Sequence, residues 1–426
     1  INSFASVLNQ VPLRSARASH AAEHTRFVVQ PPDTKSWMAP PAGRHHAIVS
    51  LVRMTSPHSR TPLIDMIKGV ACATIVWHHL AFYGPMSDIA QPLAPGLMAW
   101  LYDYGRMAVQ VFLVLGGYLA AASLAPQGLA RFDSARQQIT RRFVRLVVPY
   151  SVALLLAVLV AALVGSWMDH PSVPGAPDLG QLVANALLLQ DIVGEEALSA
   201  GVWYVAIDFQ LFAGSVLLLA LVRSLCGDGG ARHAGWLGRA LVVVGAAMSL
   251  LVFNREPQLD MWALYFFGAY GLGMMACWAV QAPRAGGWMA AIAVLGTAAL
   301  ALDFRARIAV ALVTALALAW ALRSPRWQQW QGFAPLVRLG QMSYSVFLVH
   351  FPVCLLVNAV VSHVWPQSPE WNALGMLAAF ALSLLAGKQL YARVERHVPT
   401  WTTALRWQAG LVGTGMLVAV TTSLIA

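Results

Sequence analysis

From residue 63 onward, apolar stretches of roughly membrane-spanning length follow one another, separated by short polar connections. About 20 helical residues cross the ~30 Å core of a bilayer, and the period-2 alternation of barrel strands is absent. We place segments at 63–83, 97–124, 145–167, 202–222, 239–253, 259–280, 287–302, 307–322, 340–362, 372–391 and 406–426. The pattern predicts an all-α polytopic membrane protein with about 10–11 transmembrane helices.

The basic residues predict the orientation, because cytoplasmic loops of membrane proteins are enriched in Lys and Arg. With the N-terminus in the cytoplasm, the inner side receives Arg53, Arg60, Lys68, Arg131, Arg136, Arg141, Arg142, Arg145, Arg223, Arg232, Arg239, Arg284, Arg323, Arg326, Arg338, Lys388, Arg393, Arg396 and Arg406. The outer side receives only Arg106, Arg255, Arg305 and Arg307. Because one missed helix would scramble this alternation, the asymmetry supports a cytoplasmic N-terminus.

Composition excludes a soluble protein. The 426 residues are 58% hydrophobic and only 11% charged, with a mean hydropathy of +0.62, whereas soluble domains carry about 25% charged residues. The net charge of +10 would suit nucleic-acid binding, but the basic residues form no continuous stripe and no nucleic-acid partner is predicted. The four cysteines lack CxxC spacing, so neither a disulfide framework nor a metal site is predicted.

Residues 1–53 differ from the rest of the chain. They contain no apolar run that could span a bilayer, and they are rich in Arg, His, Ala and Pro. Such a composition cannot bury enough surface to offset the entropy of ordering, and the pattern of a secretory signal is absent. We interpret 1–53 as a disordered or non-native N-terminal extension, with Met54 as the natural initiator.

The first segment, LIDMIKGVACATIVWHHL, holds the densest set of ionisable side chains, which inside a bilayer are a functional hypothesis by default. Asp65 and Lys68 stand at i and i+3 and can pair. His79 follows Lys68 by eleven positions, ~16 Å further along nearly the same face, while His78 points about 100° away. The basic end suits a polyanionic donor, and the imidazole could act as a general base on a hydroxyl. A lysine that extends to the interface, with an interfacial histidine pair, explains the pattern equally well.

Three arginines, Arg141, Arg142 and Arg145, open the third segment in TRRFVRLVVPY. A positive-inside anchor is the plain interpretation of this cluster, because the arginines lie at the predicted cytoplasmic end of the segment. A phosphate-binding cluster is the alternative, because guanidinium groups bind phosphate oxygens in a bidentate manner. The sequence leaves both interpretations open.

Polar residues also interrupt three later segments. In GVWYVAIDFQ, Trp203 and Tyr204 could belong to an aromatic belt, whereas Asp208 lies deeper and needs a buried partner. His350 in SYSVFLVHFP lies well inside its segment, and a lone buried histidine is more often a hydrogen-bonded structural residue than a catalyst. Glu395 in YARVERHV has arginines on both sides, so a surface ion pair accounts for it.

In this order, the segments resemble the acyltransferase-3 family of bacterial integral membrane acyltransferases. Six family motifs have counterparts between about 63 and 397. The first motif is a basic residue, ten residues and a His, which corresponds to Lys68 and His79, preceded by Asp65. The other five are VFLVLGGYL around Gly117, RRFVRLVVP with Arg142, WYVAIDFQLF with Asp208, LGQMSYSVFLVHFP with Tyr344 and His350, and YARVERH with Glu395. Lys68 stands where Arg is commoner, and Asp208 stands where Glu is usual.

The resemblance implies an acyltransferase-3-like core at 54–400 and an accessory C-terminal transmembrane helix at 401–426. It implies an acyl-CoA donor, most simply acetyl-CoA, no metal, and a place in the bacterial cytoplasmic (inner) membrane. On the matching residues we expect catalysis by His79, oriented by Asp65 or Asp208, binding of CoA phosphates by Lys68, Arg142 and Arg145, and substrate contacts from Trp203, Tyr204, Tyr344 and His350.

The function hypothesis is a membrane-bound O-acyltransferase. It would move an acyl group, most simply acetyl, from cytoplasmic acyl-CoA to a hydroxyl of a cell-surface glycan or lipid-linked saccharide. The alternative is a multi-helix transporter of a polar solute or lipid-linked sugar, since buried Lys, His and Asp also suit proton-coupled transport. Inverted repeats would favour the transporter, and no convincing self-similarity between the two halves is visible. A sensor or assembly factor without catalysis is a third, weaker interpretation.

Overall fold

The structure is a computed structural model that describes residues 61–227 and 230–425. The predicted extension at 1–53, the predicted initiator Met54 and the predicted start of the core at residue 54 lie outside the described residues. Every regular element in the described ranges is a helix, as the apolar pattern predicts.

The helices follow one another with short connections. The first nine are α1 (Pro62–Phe82), α2 (Met86–Ala90), α3 (Pro95–Tyr104), α4 (Ala108–Leu124), α5 (Ala135–Val164), α6 (Leu179–Ala186), α7 (Gln190–Val193), α8 (Trp203–Cys226) and α9 (Ala231–Leu251). The others are α10 (Ala263–Gln281), α11 (Gly286–Leu302), α12 (Ala306–Arg323), α13 (Pro325–Gln328), α14 (Ala334–Gln341), α15 (Ser343–Val364), α16 (Pro369–Leu390) and α17 (Trp401–Ile425). A π-helical turn at Tyr391–Glu395 continues α16.

Nine segments of the described chain are long and apolar enough to cross a membrane, which confirms a polytopic helical membrane protein. They are Pro62–Phe82, Pro95–Leu124, Ala135–Val164, Trp203–Cys226, Ala231–Arg255, Ala263–Gln281, Ala306–Arg323, Ser343–Val364 and Pro369–Glu395. The two other predicted segments are also helical. The first, α11, is an apolar helix of 17 residues, and the second, α17, packs against α5 and α6.

Helix α5 begins ten residues before the predicted segment. Ser134 caps it, because its hydroxyl oxygen accepts a hydrogen bond from the backbone N–H of Gln137 at 3.3 Å. The helix has 30 residues, so its length of ~45 Å exceeds the ~30 Å hydrocarbon core. Its polar first turns, which carry the three arginines, extend the helix beyond the apolar segment.

Glycines allow helices to pack with their backbones in contact. A Cβ atom at Gly117 of α4 would lie 1.8 Å from the carbonyl oxygen of Tyr270 on α10, so only glycine fits there. A Cβ atom at Gly340 of α14 would lie 1.6 Å from the carbonyl oxygen of Asp65 on α1. Small residues at helix contacts are typical of membrane proteins, where close van der Waals packing drives helix association. These contacts join α4 to α10 and α1 to α14.

Candidate active site

Three of the cavities in the described part of the chain are lined by the candidate site residues or by the arginines next to them. The histidine cavity, of about 860 Å³, is lined by residues that include His78, His79, Tyr83, Arg106, Glu196, Gly201, Trp203, Tyr204, Asp260, Arg305, Arg307 and Phe347. The lysine cavity, of about 390 Å³, is lined by residues that include Lys68, Phe112, Arg142, Arg145, Tyr204, Asp208, Tyr344, Phe347 and Glu395. The basic cavity, of about 810 Å³, is lined by residues that include Arg136, Arg141, Arg145, Glu395, Arg396 and Trp401.

His79 of α1 and His350 of α15 meet in the interior of the bundle. The Nδ1 atom of His79 lies 2.5 Å from the Nε2 atom of His350, and the two ring planes are within 4° of parallel. The Nδ1 atom of His350 lies 2.6 Å from the carbonyl oxygen of Phe347. His350 is fully buried, whereas His79 lines the histidine cavity. A chain of hydrogen bonds therefore runs from a backbone carbonyl through His350 to a histidine in the cavity wall.

The hydrogen-bond partners determine where the protons lie on two neutral imidazoles. A carbonyl oxygen can only accept, so the Nδ1 atom of His350 carries its proton and its Nε2 atom is the acceptor. The Nδ1 atom of His79 must then donate to His350, which leaves the lone pair of His79 on Nε2. This arrangement is that of a general base held in one tautomer by the group behind it.

Asp65 does not orient His79, contrary to the sequence prediction. It lies fourteen residues earlier on α1, which corresponds to about 21 Å along the helix axis. Its Oδ1 atom is 3.8 Å from the Nζ atom of Lys68, so the pair predicted from the i, i+3 spacing is present. Its Oδ2 atom is 3.5 Å from the amide nitrogen of Gln341. Asp65 is therefore the counter-ion of Lys68 near the N-terminal end of α1, far from His79.

Asp208 is likewise not the partner of His79. Its carboxylate accepts a hydrogen bond from the guanidinium of Arg142 and forms an ion pair with it, which joins α8 to α5. The guanidinium carbon of Arg142 also lies 5.2 Å from the ring centre of Phe212. Asp208 thus has the partner that its depth in the membrane requires. The structure corrects the predicted acid partner of His79, because His350 occupies that place.

Within the described part of the chain, Glu395 forms no ion pair with Arg393 or Arg396, the surface pairing that the sequence predicted. It lines the lysine and basic cavities, and it accepts hydrogen bonds from the backbone N–H of Ser345 at 3.1 Å and from the Ser345 hydroxyl at 2.5 Å. Ser345 lies in the first turn of α15, where backbone N–H groups have no partner within the helix and the helix dipole favours an anion. The carboxylate therefore ties the π-helical turn after α16 to the start of α15.

Two arginines are fixed in the wall of the histidine cavity. Arg305 donates to the side-chain oxygen of Asn254 at 2.7 Å and to the carbonyl oxygen of Leu250 at 3.0 Å, and burial lowers its pKa from the ordinary value. The guanidinium carbon of Arg307 lies 4.8 Å from the ring centre of Tyr265, at cation–π distance. From the sequence, both residues were expected only to be basic residues on the outer side of the membrane.

His78 and Tyr83 flank His79. The Nδ1 atom of His78 donates to the carbonyl oxygen of Leu101 at 2.9 Å, which directs this ring towards α3 and away from His350. The ring centre of Tyr83 lies 5.5 Å from that of His79, and burial raises the pKa of the Tyr83 phenol above 10.0. Tyr83 therefore presents a neutral hydroxyl at neutral pH.

Most of the predicted site residues line one of two cavities, whereas Asp65 and His350 line neither. The lysine cavity brings together the predicted donor-binding residues Lys68, Arg142 and Arg145, with Asp208 and Tyr344. The histidine cavity brings together His79, Trp203 and Tyr204. His350 stands behind His79, and the Tyr344 hydroxyl donates to the carbonyl oxygen of Leu146 at 2.9 Å. Of the predicted residues, Tyr204 alone lines both cavities.

Two residues beside His79, Gly201 and Phe347, were not predicted from the sequence to belong to the site. Gly201 has φ +79°, a left-handed conformation that favours glycine, and a Cβ atom there would lie 3.1 Å from Cε1 of His79. The same Cβ atom would lie 3.2 Å from Cζ of Phe347. Phe347 stands three residues before His350 on α15, so helical spacing could have placed the two side chains together. Gly201 lies in a connection between helices, and nothing in its sequence context indicates its contact with α1.

Comparisons with known proteins found an acyltransferase family and an acyltransferase relative. A model of the acyltransferase-3 family, described as an acyltransferase domain, matches residues 62–388. The acyltransferase MdmB of Streptomyces mycarofaciens is 25% identical over 376 residues, which cover 79% of this chain and 91% of that protein. No solved structure matches the chain. The family match includes α1, the start of α5, the start of α8 and α15, which carry the residues of the candidate site.

Proposed function

Because the chain belongs to the acyltransferase-3 family, whose model matches residues 62–388, we propose that it is an O-acyltransferase with acyl-CoA as donor. The acyl group, acetyl in the simplest case, passes to a hydroxyl of a cell-surface glycan or lipid-linked saccharide. Membrane acyl transfer in general follows from the family. The donor, the acyl group, the acceptor and the bacterial cytoplasmic membrane as location are the proposal.

The His79–His350 pair carries this proposal. A hydroxyl attacks a thioester slowly unless a base removes its proton, and a histidine is suited to that task near neutral pH. The hydrogen bond to His350 fixes the tautomer that leaves Nε2 of His79 unprotonated. The neighbouring cavity offers room for an acceptor beside that nitrogen.

In the proposed reaction, the Nε2 atom of His79 takes the proton of the acceptor hydroxyl while the hydroxyl oxygen attacks the thioester carbonyl carbon. A C–O bond forms, the C–S bond breaks, and the CoA thiolate leaves. The imidazolium of His79 then returns the proton to the thiolate, so the products are an ester and free CoA. The Tyr83 hydroxyl, whose ring centre lies 5.5 Å from that of His79, is the candidate donor to the developing oxyanion.

A second route, through an acylated histidine, leads to the same products. Nε2 of His79 would attack the thioester first, release CoA and carry the acyl group until the acceptor hydroxyl displaces it. Mixing labelled acetyl-CoA with the protein in the absence of acceptor separates the two routes, because only the second one releases one equivalent of CoA and leaves label on the protein.

The lysine and basic cavities support the assignment of the donor. Both are lined by Arg145 and Glu395, so they adjoin each other, and the basic cavity adds further arginines that suit CoA phosphates. Lys68 lines the lysine cavity. The Nε atom of Arg142 is buried and has no hydrogen-bond partner among the described residues, so a bound oxygen could satisfy it. Arg142 would thus serve the donor with the part of its guanidinium that Asp208 does not use.

The histidine cavity suits a hydroxylated acceptor. Trp203 and Tyr83 offer aromatic faces, Glu196 and Asp260 offer hydrogen-bond acceptors, and Arg106 offers a donor. Sugar rings bind to such combinations of apolar faces and polar groups, because each ring has both. The arginines of this cavity belong to the side predicted to be outside the cell, so the acceptor would approach from the outer face.

The proposal is tested by acetyl transfer with purified protein in proteoliposomes, radiolabelled acetyl-CoA and a membrane glycan extract. Label should appear in the glycan fraction with the wild-type protein and not with the His79→Ala variant. Absence of transfer together with absence of CoA binding would instead favour a transporter, which a solute-uptake screen would then examine.

A further inference from the structure

The histidine and lysine cavities meet at two aromatic side chains. Tyr204 of α8 and Phe347 of α15 line both cavities. Their ring centres are 5.7 Å apart and their planes are 75° apart, so the rings meet edge to face. This pair, here called the aromatic partition, belongs to the walls of both cavities.

The aromatic partition is connected to both functional groups. On the histidine side, the ring centre of Phe347 is 5.9 Å from that of His350, and the Phe347 carbonyl oxygen accepts the hydrogen bond that fixes the His350 tautomer. On the lysine side, Tyr204 stands 6.1 Å from Phe112, and it precedes Asp208 by one helical turn on α8. The pair therefore lies between the histidine pair and the charged groups of the lysine cavity.

The distance between Lys68 and His79 along α1 connects the aromatic partition with catalysis. Lys68 and His79 are eleven residues apart on one helix, which is ~16 Å, and they line different cavities. A donor whose anionic end is held beside Lys68 must extend into the histidine cavity to present its thioester to His79, and the two residues that line both cavities are those of the partition. The narrow arm that joins the CoA phosphates to the thioester has the shape for such a passage.

We propose that Tyr204 and Phe347 form a gate through which the acyl thioester passes from the lysine cavity to His79, and that this gate selects straight over branched or aromatic acyl groups. The inference rests on the proposed function and adds the determinant of acyl selectivity. The gate acts on the width of the acyl group. A straight acyl chain is no wider than the narrow arm of CoA to which it is attached, so it passes wherever that arm passes. Branching next to the carbonyl, or an aromatic ring, widens the group at the point that must pass first.

The test compares acetyl-CoA with isobutyryl-CoA and benzoyl-CoA as donors for wild-type protein and for Tyr204→Ala and Phe347→Ala. Both variants should raise the ratio of kcat/KM for the wide donors to kcat/KM for acetyl-CoA by about tenfold or more, the scale on which pockets discriminate small changes of shape. Tyr204→Phe keeps the ring and should keep the wild-type ratio. Phe267→Ala on α10 is the matched control, because Phe267 lines none of the three cavities and its loss should leave the ratio unchanged.

The outcomes distinguish failure of the gate from failure of the proposed function. If the wild-type protein transfers no acyl group from any CoA ester, the proposed function fails. If it transfers acetyl and the alanine variants keep the wild-type donor ratio, the gate is overturned and the proposed function stands. Tyr204→Val and Phe347→Leu, which retain more of the packed volume, serve in place of an alanine variant that does not fold, and they should raise the ratio by a smaller amount.

Discussion

The histidine cavity and the lysine cavity stabilise polar groups inside the membrane in different ways. In the lysine cavity, opposite charges are paired: Lys68 with Asp65, and Arg142 with Asp208. In the histidine cavity, His79 is bound to another imidazole, which is in turn bound to a backbone carbonyl. An ion pair lowers the cost of burying charge, whereas a chain of neutral groups leaves one lone pair available for chemistry. The first arrangement suits binding of an anion, and the second suits proton transfer.

Replacement of His79 by Ala should have the largest effect, because it removes the base itself. The rate of acetyl transfer should fall by about 10²- to 10⁴-fold, the range that general base catalysis contributes. Initial rates measured with radiolabelled acetyl-CoA check this expectation, with the helical content of the purified variant as a control for folding.

His78→Ala is the matched control for the base, since His78 is the neighbouring histidine and is bound to the carbonyl oxygen of Leu101. Its loss should be far smaller than that of His79→Ala. Equal losses in the two variants would contradict the assignment of the base to His79.

Breaking the Arg142–Asp208 pair should lower stability, in addition to any loss of donor binding by Arg142. Either Arg142→Ala or Asp208→Ala leaves the other side chain without its counter-charge and should lower the free energy of unfolding by about 1–3 kcal/mol. The double variant should lose less than the sum of the two single losses, because no lone charge remains. Thermal unfolding in detergent measures all three variants. Strictly additive losses would mean that the two side chains do not stabilise each other.

His350→Ala should reduce the transfer rate by about tenfold, less than the loss of the base itself, because His350 acts by orienting His79. His350→Gln retains an oxygen acceptor for the Nδ1 proton of His79 and should recover part of the rate. The comparison of these two variants by initial rates separates orientation from packing. Equal rates in the two variants would show that the hydrogen bond has no role.

Lys68→Gln should have the smallest effect. It should raise the KM for acetyl-CoA by about fivefold, the equivalent of ~1 kcal/mol, and leave kcat nearly unchanged. Arg326→Gln is the control, because Arg326 is an exposed arginine on the same predicted side of the membrane and lines none of the three cavities. A change in kcat with an unaltered KM would place Lys68 in the chemical step instead of the binding of the donor.

Much of the fold was predictable because lipid imposes a simple rule on the sequence. Any spanning segment must be apolar and helical, so the lengths of the apolar stretches located the helices directly. The pairing of Asp65 with Lys68 followed from local spacing for the same reason, since both lie on one helix. The predicted start of α5 was ten residues too late, because the first turns of this helix are polar and a search for apolar stretches does not detect them.

The partners within the site were not predictable from spacing, because they come from different helices. His79 and His350 are 271 positions apart in the sequence, and Arg142 and Asp208 are 66 apart. A buried carboxylate binds the nearest cation, so both acids expected at His79 are engaged elsewhere. The sequence offered two polar residues in need of partners, His350 and Asp208, but not which groups would meet them.

Acyl transfer in sealed vesicles with known orientation tests the central claim, that donor and acceptor reach His79 from opposite ends of the bundle. Labelled acetyl-CoA would be enclosed on the side of Lys68 and the arginine-rich end, and a soluble glycan acceptor would be supplied only on the side of the histidine cavity. Labelled glycan should appear on the acceptor side with the wild-type protein, and none should appear with His79→Ala. Transfer that occurs only when donor and acceptor share one side would contradict this claim.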